Sequence, residues 1–182
     1  MQRKLGAAAT SLPEVQRDGL RLTSGASRLE PARLPDHLDA MYRAAYALCG
    51  SRHDAEDLVQ ETFAKVLKRP RFVRRDHELG YLLQALRNTY SSSYRAAARR
   101  PKTVAMSEDH ARATPAPGFR ASEIMQAIAS VPAPHRDAVI AVDLLGMSYN
   151  DAARALRAPT ATITSRLHRG RQHVARALID AD

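Results

Sequence analysis

Between residues 54 and 69 the segment DAEDLVQETFAKVLKR sets Ala55, Leu58, Val59, Thr62, Val66 and Leu67 at i, i+3, i+4, i+7 spacing. That period belongs to an amphipathic helix with one buried stripe. A second helix is predicted from about Glu78, with Leu79, Leu82, Leu83 and Leu86 inward and Tyr81 alongside. After residue 122 the period returns. Ala138, Val139, Val142 and Leu145 mark a helix over about 135–145, stopped by Gly146. Ala152, Ala153 and Leu156 mark the next, and Ile163, Leu167, Val174 and Leu178 a last one from Thr160, just after Pro159. Strand-like alternation is missing throughout. The fold class predicted is all-α, as two small helical domains joined by a flexible linker.

Punctuation sets the boundaries. Residues 1–33 mix Gly, Ser, Pro, Arg and Ala without a period and read as a flexible N-terminal tail. The first domain covers 34–100. Residues 101–121 carry Pro101, Pro115, Pro117 and Gly118 among polar residues, which is linker chemistry. The second domain covers 122–182. Each core would be small, near the lower limit for an independent domain.

Charge narrows the class of partner. The chain has 182 residues and a formal net charge of +9, which favours a polyanion. The basic residues are not spread evenly. The first turn of the 54–69 helix holds Asp54, Glu56 and Asp57, and its end holds Lys65, Lys68 and Arg69, an order that complements the helix dipole. Its polar face carries Glu56, Asp57, Gln60 and Glu61, with Phe63 at the border. Such a face is either solvated or, in an Arg-rich chain, suited to a basic protein partner with Phe63 as an aromatic anchor.

The stretch KRPRFVRRDHELGYLLQALRNTYSSSYRAAARRPK follows at 68–102. Arg74 and Arg75 lie in a loop-borne basic cluster, and Arg87, Asn88, Tyr90, Ser91 and Arg95 continue past the leucine stripe. Cations neutralise phosphates, aromatic faces stack unpaired bases and Asn reads base edges. The mixture suits single-stranded or distorted nucleic acid, although each tyrosine could equally be a boundary aromatic of the core.

In GMSYNDAARALRAPTATITSRLHRGR, Ser148 caps a helix with Asp151 three residues on, close to a capping box. The helix from Thr160 leaves Thr160, Ala161, Thr164, Ser165, His168 and Arg169 outward. Small residues lead and hydrogen-bonding and cationic ones follow, the inventory of a recognition helix in a major groove.

In this order the pieces resemble bacterial sigma factors of the extracytoplasmic-function (ECF, group 4) sigma-70 family. DAEDLVQETFAKVL is similar to region 2.2, GYLLQALRNTYSSSYRAAARRP to regions 2.3 and 2.4, and LGMSYNDAARALRAPTATITSRLHRGRQHVARAL to region 4.2. The resemblance implies a subunit that binds core RNA polymerase, through the beta-prime clamp helices and the beta flap, and directs promoter-specific initiation. It implies polymerase contacts at Asp57, Gln60, Glu61 and Phe63. Contacts to the promoter −10 element would come from Arg74, Arg75, Arg87, Asn88, Tyr90, Ser91 and Arg95. Contacts to the −35 element would come from Ser148, Thr160, Thr162, Thr164, Ser165, Arg166, His168 and Arg169. An anti-sigma partner is also implied. The chain departs from the family in three places. Arg157 stands where Gly is usual in the turn, at a cost of about 1 kcal/mol if that residue is left-handed. Thr164 replaces a common basic residue, and Tyr81 the usual Trp.

The competing reading is a stand-alone helix-turn-helix regulator, which leaves the acidic helix and the 68–102 stretch without a task. An enzyme is not expected. The seven histidines are scattered without metal-ligand spacing, no Gly-rich phosphate loop appears, and Cys49 has no activating neighbour. No catalytic residue, metal or cofactor is predicted. A single cysteine forms no internal disulfide, and no signal-peptide core or membrane span is evident, so a cytoplasmic protein without membrane attachment is expected.

Overall fold

The computed structural model describes residues 26–99 and 119–180. Seven α-helices occur among them: α1 (Leu38–Cys49), α2 (Arg52–Lys68), α3 (Glu78–Arg99), α4 (Phe119–Ser130), α5 (Ala133–Val139), α6 (Tyr149–Leu156) and α7 (Thr160–Ile179). The first three make one unit. Gly50 at φ 72° ends α1, its amide donating to the Tyr46 carbonyl at 2.7 Å. Ser51 then caps α2, its Oγ accepting from the Asp54 amide. The two helices therefore fold back on each other through a two-residue turn. Met41, Ala44, Ala45 and Leu48 of α1 meet Ala55, Leu58, Val59 and Val66 of α2 and Leu82, Leu83 and Leu86 of α3. Thr62 fits this apolar stripe because its hydroxyl donates to the Leu58 carbonyl at 2.7 Å. Leu67 does not belong to it. At 100° per residue it points well away from Val66, and it is 41% exposed.

Residues 1–25 of the predicted tail lie outside the described residues. Residues 26–33 are folded, and two elements that the hydrophobic period did not reveal explain why. Ala26–Arg28 forms strand β1, antiparallel to β2 (Phe72–Arg74), pairing Ala26 with Arg74, Ser27 with Val73 and Arg28 with Phe72. Leu29 and Leu34 are then buried at 2% and 5% exposure. Two 3-10 turns, Pro31–Arg33 and Pro35–His37, bring Arg33 and His37 to Glu78 at the start of α3. That carboxylate is 1% exposed. Arg33 Nη1 lies 2.7 Å from Oε1 and His37 Nε2 lies 3.2 Å from Oε2.

The second unit holds α4 to α7. The predicted 135–145 helix is two pieces. After α5 the chain widens into a π-turn over Ile140–Leu144, with the Leu145 amide reaching the Ile140 carbonyl at 3.0 Å, and Gly146 at φ 67° stops it. The wider turn moves the inward stripe. Ala138, Val139, Ile140 and Ala141 are buried, whereas Val142 and Leu145 are half-buried. The two units also pack on each other, α1 against α4 and α3 against α6, and their buried side chains form one continuous apolar cluster. Residues 100–118, most of the predicted linker, lie outside the described residues. Among the described residues no helix is long and apolar enough to cross a membrane.

Candidate nucleic-acid interface

The helix-turn-helix is α6 and α7. Ser148 caps α6, accepting from the Asp151 amide at 3.1 Å while its hydroxyl donates to Asp151 Oδ2 at 2.5 Å. The Ser148 hydroxyl, and then Arg154, hold the Asp151 carboxyl below the usual carboxylate range. The Ser148 cap read from the sequence is thus built, but Asp151 bonds the Ser148 hydroxyl in place of the backbone amide that completes a capping box. The turn closes at Arg157, the one non-glycine residue with positive φ among those described, at φ 51° and ψ 47°. Its amide meets the Ala153 and Arg154 carbonyls, and its exposed side chain reaches Gln84 only at 3.4 Å. Arg157→Gly should therefore raise the unfolding free energy by about 1 kcal/mol in urea titration, because glycine removes the Cβ penalty of the left-handed region.

Buried Ile163, Leu167 and Gly170 set the inner side of α7. Thr160, Ala161, Thr164, Ser165, His168, Arg169 and Gln172 are exposed on the other side. Thr162 and Arg166, included among the sequence candidates, are half-buried on the flank. Thr160 is fixed by a residue the sequence reading overlooked, since its hydroxyl donates to Asn150 Oδ1 at 3.3 Å across the turn. Ser165 Oγ donates back to the Thr162 carbonyl at 3.0 Å, and His168 pairs with Gln172 at 3.1 Å. Arg171 faces away from this set. Its guanidinium grips Asp143 of the π-turn through two bonds, at 3.0 and 2.6 Å. Burial, followed by the charges of His173, Arg169 and Arg166, lowers the His135 pKa. Arg169 is thus an exposed guanidinium in the middle of the outer face of α7, with no acidic partner among the described residues.

In the first unit, Asp57, Gln60 and Glu61 are exposed along α2. Glu61 pairs with Lys65 at 2.7 Å and Asp57 lies 3.8 Å from His53, both solvent-exposed pairs that hold their charges weakly. Phe63 is half-buried and packed against the core, so it offers an edge and not a protruding anchor. Arg74, the last residue of β2, and Arg75 after it are exposed, with Arg74 held to Asp76 at 3.2 Å. Asn88, Ser91 and Arg95 are exposed along α3. Arg87 and Tyr90 are not. Both are half-buried against the second unit, Arg87 bonded to Asp137 and Tyr90 lying 5.3 Å beneath the Arg136 guanidinium. Arg136 and Asp137 gave no signal in the sequence, where they read as ordinary polar positions of a helix.

The Cys49 thiol is pushed up to about 11 by burial and by Asp54, so it carries no appreciable thiolate at neutral pH. No cluster of three or more potential metal ligands occurs among the described residues.

Known protein families match both units. Sigma-70 region 2 matches residues 35–100 and Sigma-70 region 4 matches residues 121–174. The ECF RNA polymerase sigma factor SigE of Mycolicibacterium smegmatis is 33% identical over 147 residues, covering 76% of this chain and 57% of that protein. SigC of Mycobacterium tuberculosis is 34% identical over 127 residues, covering 64% and 66%. The chain thus spans somewhat less than two thirds of the length of these two relatives. The ECF RNA polymerase sigma factor EcfG of Rhodopseudomonas palustris is 32% identical over 140 residues, covering 74% and 76%. Among solved structures, the sigma factor RpoE in complex with the anti-sigma factor NepR from Bartonella quintana superposes with a TM-score of 0.62 at 26% identity, over 81% of this chain and 94% of that one. Both regions match in order and EcfG is matched over most of its length, so the chain belongs to the ECF RNA polymerase sigma factors of the sigma-70 family.

Proposed function

We propose that this chain is a promoter-specificity subunit of RNA polymerase. The exposed acidic face of α2, with Asp57, Gln60 and Glu61, docks on core polymerase. The basic and aromatic side of α3, with Arg74 and Arg75 nearby, binds the −10 element, and the outer face of α7 reads the −35 element. One observation carries this reading: three chemically different surfaces follow one another on a single chain, two suited to nucleic acid and one, acidic, unsuited to it. A lone helix-turn-helix regulator would have no use for the acidic face. The resemblance of the fold to a sigma factor solved with its anti-sigma factor supports an anti-sigma partner here too. A role inside the cytoplasm follows from these partners.

Reconstitution with core polymerase tests the proposal. A stable holoenzyme and promoter-dependent transcripts are expected, whereas tight promoter binding by the free chain with no holoenzyme would favour the stand-alone regulator. Within the holoenzyme, Arg169→Ala should lower −35-dependent transcription roughly tenfold, the effect of losing about 1.4 kcal/mol of groove contact. Polymerase affinity should not change. An equal loss of polymerase binding would show that Arg169 holds structure and does not read DNA.

A further inference from the structure

We infer that this chain binds a small organic anion with an aromatic body, in a cleft lined by both units. The inference goes beyond the promoter-specificity reading and does not depend on it. The cleft has a volume of about 440 Å³, within the range of small-molecule sites. The first unit lines it with residues of β2 and the start of α3, and the second with the end of the π-turn and α6. Tyr81, Leu145 and Met147 supply apolar lining; each is half-buried and packed against the core cluster. The helices α3 and α6 meet along it at Gly80, where a Cβ would lie 3.4 Å from Ala155 Cβ. Phe72 also lines the cleft and is 66% exposed. An aromatic ring seated there would cover apolar surface that the chain itself leaves in water.

Charge complementarity sets the class of ligand. Asp76 and Asp151 both line the cleft, and both are already engaged. Arg74 holds Asp76 through two bonds of 3.2 Å, while Arg154 and the Ser148 hydroxyl hold Asp151. Arg71 is the lining cation left over, with no acidic partner among the described residues. A carboxylate on Arg71 completes the charge balance, with its ring against Phe72, Tyr81 and the Met147 thioether. The backbone that presents these groups is fixed before a ligand arrives. The Leu29 amide donates to the Arg71 carbonyl at 3.3 Å, Phe72 pairs with Arg28 of β1, and the Met147 amide donates to the Ala141 carbonyl at 3.0 Å. Such preorganisation lowers the ordering cost of binding. A ligand that touches both walls also stabilises the folded chain by linkage.

Isothermal titration calorimetry of the full chain tests this with two probes of one shape, naphthoate and its neutral amide. Naphthoate should bind saturably at a single site, about fivefold more tightly than the amide. Arg71→Ala should remove that preference. Arg69→Ala, which deletes an exposed cation outside the cleft, should match wild type. Met147→Trp fills the cleft and should abolish measurable binding of both probes. Naphthoate should also raise the thermal midpoint of wild type and leave that of Met147→Trp unchanged. Circular dichroism checks that each variant remains helical; if Met147→Trp misfolds, the two arginine variants decide. Absence of saturable naphthoate binding would overturn the inference, as would equal affinity for acid and amide, or an equal loss in Arg69→Ala. Excess single-stranded DNA should leave naphthoate binding intact; displacement would assign the cleft to nucleic acid instead. The holoenzyme assay reads the promoter proposal separately, and its failure would not move these binding results.

Discussion

Glu78→Ala is expected to cost about 3 kcal/mol of stability, read as a lower urea midpoint at constant slope. The carboxylate is 1% exposed and meets Arg33 at 2.7 Å and His37 at 3.2 Å. Removing one member of a buried ionic group strands the others, and the stranded charge costs more than the pair contributed. Here Arg33 is 22% exposed and recovers part of its hydration, which places the expected loss at the lower end of the range for buried pairs. Glu78 also stands in the first turn of α3, where a negative charge complements the helix dipole. Glu78→Gln keeps the shape and loses the charge, and should recover little, because Arg33 then faces a neutral amide. If Glu78→Ala unfolds at the wild-type midpoint, the ionic group is not what docks residues 29–37 onto α3.

Gly170→Ala should destabilise by about 2 kcal/mol, although alanine is ordinarily the better helix former by about 1 kcal/mol. The reason is a close crossing of α7 over α5. A Cβ at position 170 would lie 2.5 Å from Val139 Cγ2 and 2.9 Å from the His135 carbonyl oxygen. Val139 could turn aside, but the backbone carbonyl cannot, so the two helices must separate along their shared face. The propensity gain is local and small; the packing loss extends over Ile163, Leu167, Ala138 and Val139, all buried at this crossing. Thermal unfolding of the full chain measures it. A variant at least as stable as wild type would show that the crossing relaxes without cost.

Much of this organisation is visible in the order of residues. The stripes of α2, α3 and α7 are read directly from apolar spacing, and the α6 cap from Ser148 and Asp151, because each depends on residues within a turn or two of one another. The left-handed turn at Arg157 is likewise local, and the structure shows it in the conformation that glycine would favour. What spacing does not reveal is non-local. Glu78 reads only as the start of a helix, yet its partner His37 is 41 residues away. Arg136 and Asp137 carry no local signal, because their partners Tyr90 and Arg87 lie in the other region. The π-turn also misleads a period of 3.6, since one widened turn leaves Val142 and Leu145 half-buried at the edge of the core while Ile140 and Ala141 are fully buried. Within the interface itself, exposure separates Asn88, Ser91 and Arg95 from Arg87 and Tyr90, although all five share one helix and one apparent chemistry.

The pairing of β1 with β2 has a consequence of another kind. A three-residue strand with a free edge is an open template for a second chain, and Phe72, 66% exposed, would make that edge sticky. Residues 26–28 close it with the chain's own backbone, and Arg71, Arg74 and Arg75 flank it with like charges that repel another copy. The segment just ahead of the recognisable region 2 thus covers one edge of β2 with the chain's own backbone and fastens the basic loop to the first unit.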